Sequence, residues 1–179
     1  MQYLIRVKCD EVEGFRRDIL IDEDANFLDL SKAILGSVGF PDDQMTSFYI
    51  CDDNWERREQ ITREDCREAA AADMDVLTMA DTPLADFLDA EGITRMEYIF
   101  DPFCERTFNL RVLSEEPGFG EAEVVKSSGK APQQLADMDA ATAAILGGAT
   151  IDLDTDFADD LFSDDELDLE GFEITEDGF

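Results

Sequence analysis

The sequence predicts an α+β protein: a mainly antiparallel sheet with two or three helices, followed by an acidic C-terminal tail. Three observations point to it. Short runs of apolar and polar residues alternating with period two recur along the first two thirds of the chain. Several neighbouring runs are joined by brief turn-like connections, which is the signature of hairpins. The helical period of 3.6 shows clearly in few places, so strands outnumber helices.

Residues 3–8 alternate Tyr3, Ile5 and Val7 against Leu4, Arg6 and Lys8, the pattern of a half-buried strand. Asp10–Gly14 is a polar turn, and residues 15–21 alternate again with Phe15, Arg17, Ile19 and Ile21 on one face. Arg17 is the odd member of that face and is expected near an edge, reaching solvent. The period then changes. Asn26 is a good N-cap, and Phe27, Leu30, Ile34 and Val38 form one helical stripe that Gly39-Phe40-Pro41 stops. Residues 45–51 are apolar and β-prone, and read as a third strand. Residues 55–75 are mostly polar, with a short helical turn at 66–72 and a weak strand or loop at 74–79. Thr82-Pro83 starts a second helix, striped by Leu84, Phe87 and Leu88 and ended by Gly92. Residues 96–100 and 108–112 form a second hairpin, and 122–126 a last short strand.

Three segments follow from composition. Residues 1–127 form the α+β domain. Residues 128–149 are a linker, opening on Ser128-Gly129-Lys130-Ala131-Pro132 and holding an Ala-rich stretch that suits a short helix. Residues 150–179 are an acidic tail with 13 acidic residues and no basic ones. Phe157, Leu161, Phe162 and Phe172 punctuate that tail, and Phe157 and Leu161 would share one helix face. Such mixtures stay unfolded alone through self-repulsion and order on a basic or apolar partner; docking on the body is the competing reading.

The chain of 179 residues holds 45 Asp and Glu against 14 Lys and Arg, a net charge of −31, and no histidine. The missing imidazole excludes Ser-His and Cys-His nucleophile pairs and His-ligated metals. The charge opposes phosphate backbones, so no direct nucleic-acid binding is expected. Cys9, Cys51, Cys66 and Cys104 contain no Cys-x-x-Cys pair, which argues against a zinc or iron–sulfur site and for reduced thiols. Neither a signal peptide nor a membrane span is visible, so the predicted location is the cytoplasm. Asp42-Asp43, Asp52-Asp53 and Asp164-Asp165-Glu166 are pairs that suit Mg²⁺ or acid–base work, but with a quarter of the residues acidic, solvated faces are the plainer reading.

Two aromatic–basic concentrations stand out. Trp55 lies beside Arg57 and Arg58, and Arg16-Arg17 follows Phe15. The first suits a cation–π surface, a contact for an acidic partner or an anchor for the chain's own tail; an exposed loop with a packed Trp is the ordinary alternative.

The ordered stretches Phe15-Arg16-Arg17, Phe27-Leu28-Asp29-Leu30-Ser31, Gly39-Phe40-Pro41, Phe48-Tyr49-Ile50, and Met96-Glu97-Tyr98-Ile99-Phe100-Asp101 with Phe108-Asn109-Leu110 resemble the plasmid pRiA4b ORF-3-like family. The resemblance spans residues 3 to 132. Phe15 and Phe40 stand where that family has Trp, and Ser31 and Met45 where it has His, so this chain resembles a His-free branch. The resemblance implies a roll-like α+β fold and an association with plasmids or transposons, where some members carry a resolvase label. It implies no established activity, and no Arg cluster for phosphate chemistry accompanies the serines here.

The resulting expectation is a non-enzymatic cytoplasmic binding module, without cofactor, whose tail engages a protein partner that is basic or carries an apolar groove. Its contact residues are Arg16, Arg17, Trp55, Arg57, Arg58, Phe157, Leu161, Phe162 and Phe172. The alternatives are a DNA mimic that occupies basic DNA-binding proteins and a carboxylate enzyme with a divalent metal.

Overall fold

A computed structural model describes residues 1–64 and 76–135. They belong to a unit running Met1–Asp137; the second unit, Met138–Phe179, lies outside the described residues, and with it the predicted Ala-rich helix and acidic tail. The predicted turn at 66–72 lies outside them as well.

The strands are β1 (Gln2–Lys8), β2 (Arg16–Asp22), β3 (Ser47–Cys51), β4 (Arg57–Thr62), β5 (Leu77–Thr78), β6 (Arg95–Asp101), β7 (Arg106–Glu116) and β8 (Glu123–Ser128). The helices are α1 (Phe27–Val38) and α2 (Ala85–Leu88). All eight strands join one sheet in the order β5-β4-β3-β6-β7-β1-β2-β8. Its ladders are antiparallel except β4 with β5, which is parallel.

This corrects the predicted class. Of the described residues 43% are strand and 13% helical, mostly one mixed eight-stranded sheet with few helices, so the expected α+β fold with two or three helices does not hold, while a mainly antiparallel sheet is partly consistent. Two physical reasons account for it. Arg57–Thr62 is a strand although it lacks the apolar alternation: only Ile61 is buried, because the strand lies near the sheet's edge and its pairing with Ser47–Cys51 supplies what its side chains do not. The second helix shrinks to one turn. Residues 82–84 are engaged elsewhere: Phe27 N donates to Thr82 O at 3.1 Å, Leu84 N donates to Ala25 O at 2.9 Å, and Pro83 bridges Asn26. The helix therefore starts after Leu84, without a side-chain cap.

Helix α1 forms where its caps place it. Asn26 Oδ1 accepts from Asp29 N at 2.9 Å and Asp29 Oδ2 accepts from Asn26 N at 3.4 Å, a reciprocal capping box. Gly39 closes the other end at φ 72°, a left-handed turn that costs glycine little. Its buried stripe of Phe27, Leu30, Ile34 and Leu35 packs with Ile5, Val7, Ile19, Phe48, Tyr98, Phe100 and Phe108 in one core. Phe108 stacks between Phe15 at 5.3 Å and Phe100 at 4.3 Å, so it anchors the centre of that core. One polar pair is buried with them: Ser31 Oγ and Tyr98 OH share a hydrogen bond of 2.7 Å that ties α1 to β6.

Arg17 departs from its prediction. It is buried, not solvent-reaching. Its guanidinium lies 4.6 Å over the Phe15 ring and donates to Ser37 O, Ser128 O and Gly129 O. The carbonyl end of α1 and the end of β8 thus solvate a charge on the core face.

Phe108→Ala is predicted to lower stability by about 3–5 kcal/mol, the usual cost of emptying a buried aromatic site. Urea unfolding followed by circular dichroism measures it.

Candidate functional site

Alternation gives the sheet two unlike faces. Tyr3, Ile5, Val7, Ile19, Ile50, Met96, Tyr98, Phe108 and Leu110 point into the core with α1. Their neighbours point the other way. Cross-strand register then assembles them into rows. One row runs Arg57–Cys51–Arg95–Arg111–Arg6–Asp18–Lys126, from β4 to β8. The next runs Gln60–Tyr49–Glu97–Asn109–Lys8–Arg16–Ser128. Two rows of a chain with net charge −31 therefore hold seven bases and two acids. At about 4.8 Å between strands, each row spans roughly 30 Å.

Asp18 organises the β1–β2 end. Arg6 Nε donates to its Oδ1 at 2.9 Å, Arg16 Nε donates to the same oxygen at 2.9 Å, and Arg16 Nη2 closes on Oδ2. Burial by itself pushes the Asp18 carboxyl up, but the hydrogen bonds from Arg16 and Arg6 outweigh it and hold it well below the usual carboxylate range. One carboxylate thus serves two guanidiniums and leaves the cluster net positive. Lys8, Arg111 and Lys126 are exposed and form no ion pair among the described residues. Beside this cluster lies a cavity of about 620 Å³ lined by Arg6, Lys8 and Arg16 together with the hairpin residues Asp10, Glu11 and Glu13. Two of those acids are engaged: Asp10 accepts from Asn109 at 2.8 Å and Glu11 from Arg106 at 2.6 Å.

The predicted contact residues scatter with respect to this face. Arg16 and Arg57 lie on it, and Arg17 lies on the opposite, buried face. Arg57 sits 4.5 Å over the Tyr49 ring and donates to Glu97 at 2.6 Å. Arg58 pairs with Asp52 at 3.2 Å in the β3–β4 turn. Trp55 occupies that turn at φ 65°, a left-handed conformation unusual for a bulky residue. Asp52 Oδ1 stabilises the turn by accepting from Asn54 N and Glu56 N. The Trp55 ring meets Arg95, 5.8 Å away, rather than Arg57 or Arg58. Phe157, Leu161, Phe162 and Phe172 lie outside the described residues. Arg6, Lys8, Arg95, Arg111 and Lys126 were not among the predicted contacts. The alternation of β1 and β7 carries three of them in plain sight, but only strand order joins them into a row.

Asp164-Asp165-Glu166 lies outside the described residues, and the other two acid pairs have members engaged elsewhere. Asp52 holds a turn, and Asp42 receives Arg63 at 2.7 Å. Among the described residues no three His, Cys, Asp or Glu side chains converge as metal ligands. Cys9 and Cys51 are buried free thiols, and Cys104 is an exposed one. Burial pushes Cys51 up to about 11 and raises Cys9 as well. Cys66 lies outside the described residues. Among the described residues no helix is long and apolar enough to cross a membrane.

The fold is thus a sheet covered by a helix on one side and carrying a charged row on the other. Neither the family models nor the curated proteins include a match. Among solved structures, the chain is similar to the crystal structure of a protein of unknown function, MM3350 from Methanosarcina mazei Go1. The two are 17% identical over 70% of this chain and 68% of that one, with a TM-score of 0.56, a likeness of fold alone.

Two predictions follow from these side chains. Asp18→Asn leaves two guanidiniums with a neutral partner and is expected to cost about 2–3 kcal/mol near pH 7. Because the folded-state pKa is depressed, the wild-type advantage is complete above the unfolded carboxylate value of about 4 and is lost as pH falls below it. Urea titrations of both proteins from pH 7 to the acid limit should therefore converge at low pH. Separately, Ellman's reagent at neutral pH should label Cys104 in the folded chain at least roughly tenfold faster than Cys9 or Cys51. Mass mapping of the labelled peptides reads the order.

Proposed function

We propose that this protein is a cytoplasmic binding module that acts by contact, not by turnover, through two surfaces of opposite sign. One is the outer face of the sheet. The other is the acidic segment 150–179, which suits a basic partner or an apolar groove. The observation that carries this reading is the row of bases from Arg57 to Lys126 in a chain so short of bases. Seven of its 14 bases fall on two adjacent rows, where they raise a local positive field against the acidic whole. Within the rows Arg57 pairs with Glu97, Arg95 with Asp53, and Arg6 and Arg16 with Asp18, whereas Lys8, Arg111 and Lys126 have exposed ammonium or guanidinium groups to offer.

Kinship with the plasmid pRiA4b ORF-3-like family, and through it an association with mobile elements, belongs to the same proposal. The order of the Phe15, Phe27, Gly39 and Tyr98 stretches supports it. Burial of Cys9 and Cys51 as free thiols supports a reducing compartment.

Calorimetric titration of the full chain with heparin, a generic polyanion, tests the outer face. Saturable binding that weakens as salt rises is the expected result. No heat of binding at low ionic strength would remove the face from the proposal.

A further inference from the structure

We infer that the outer sheet face takes an acidic peptide segment, one presenting Asp or Glu carboxylates between apolar side chains. The inference rests on the reading of that face as a contact surface and names its occupant.

Charge complementarity chooses an anion. Arg6 and Arg16 share the single Asp18 carboxylate, and Arg111 stands between Arg95 and Arg6 with no acid of its own in the row. An arginine with a vacant fork is suited to a carboxylate, which it binds through two parallel hydrogen bonds. Lys8 and Lys126 flank the shared Asp18 on neighbouring strands and add point charges.

The surroundings choose a peptide over a nucleic acid. Leu4 and Leu20 face each other across β1 and β2, half-buried, beside the Arg6–Asp18 pair. Apolar side chains next to guanidiniums match a strand in which carboxylates and apolar residues alternate. Base stacking needs free aromatic faces, and the one aromatic in the two rows, Tyr49, already lies under Arg57.

Fluorescence anisotropy on the full chain tests this with a fluorescein-labelled synthetic peptide alternating glutamate and leucine. A glutamine-for-glutamate version and a single-stranded oligonucleotide of equal charge run alongside. Arg111→Glu with Lys126→Glu reverses two exposed, unpaired charges on the face, and Lys8→Glu alone is a milder reversal should the pair perturb folding. Lys32→Glu, on α1, is the control. The acidic peptide should bind the wild type and lose affinity by at least roughly tenfold in the double reversal, less in Lys8→Glu and not in Lys32→Glu. The glutamine peptide should not bind. Tighter binding of the oligonucleotide, or a reversal no more harmful than Lys32→Glu, would overturn the inference. Heparin bound without the acidic peptide defeats the choice of occupant alone; neither bound defeats the reading of the face as well.

Discussion

A wide sheet with one helix against it must solve a problem of surface. Among the described residues, α1 and the one-turn α2 pack with the apolar side chains of a single face. Among the described residues no helix packs on the opposite face, which carries exposed charges such as Lys8, Arg111 and Lys126 together with buried positions at Cys51, Asp18 and Ile99. Period-two alternation is the means: each apolar residue sent to the core sends its neighbour outward. In a chain with 45 acids, four outward positions of the central strands β6, β7 and β1 nonetheless go to Arg95, Arg111, Arg6 and Lys8. Long side chains with apolar stems shield the strands while keeping their heads in water. That combination accounts for the sign of this face.

Asp18 and Arg17 show how the fold handles charge on adjacent residues of one strand. Arg17 enters the core face and survives there on carbonyl oxygens at the end of α1 and of β8. Asp18 points outward and is kept ionised by two guanidiniums. Each charge is solvated by the protein in place of water. Strand β2 is thereby fixed on both faces at once, which pins the register of β1, β2 and β8.

Much of the strand content was legible in the sequence, because β1, β2, β6 and β7 announce themselves through apolar alternation and β3 through an apolar, β-prone run. The first helix was legible for the same kind of reason, since Asn26, Asp29 and Gly39 mark its ends. What the sequence hid was decided by pairing. Arg57–Thr62 has almost nothing to bury and becomes a strand because β3 offers it a ladder. Thr82-Pro83 looks like a helix start, yet Thr82 O accepts from Phe27 N and Leu84 N donates to Ala25 O instead. The same limit applied to the site. Trp55 with Arg57 and Arg58 looked like a cluster because the residues are adjacent in sequence. Their side chains part company in space, whereas Arg95, Arg111 and Arg6, far apart in sequence, stand side by side. Sequence proximity reports loops; sheet faces need the strand order.

The positive outer face is the centre of this account, and lysine footprinting interrogates it most directly. Acetylation rates of Lys8, Lys126 and Lys32 in the full chain would be followed by mass spectrometry with and without an excess of heparin. The account predicts that Lys8 on β1 and Lys126 on β8, outward on the two strands that flank β2, are protected together while Lys32 on α1 reacts unchanged. Equal protection of all three, or none at Lys8 and Lys126, would contradict it.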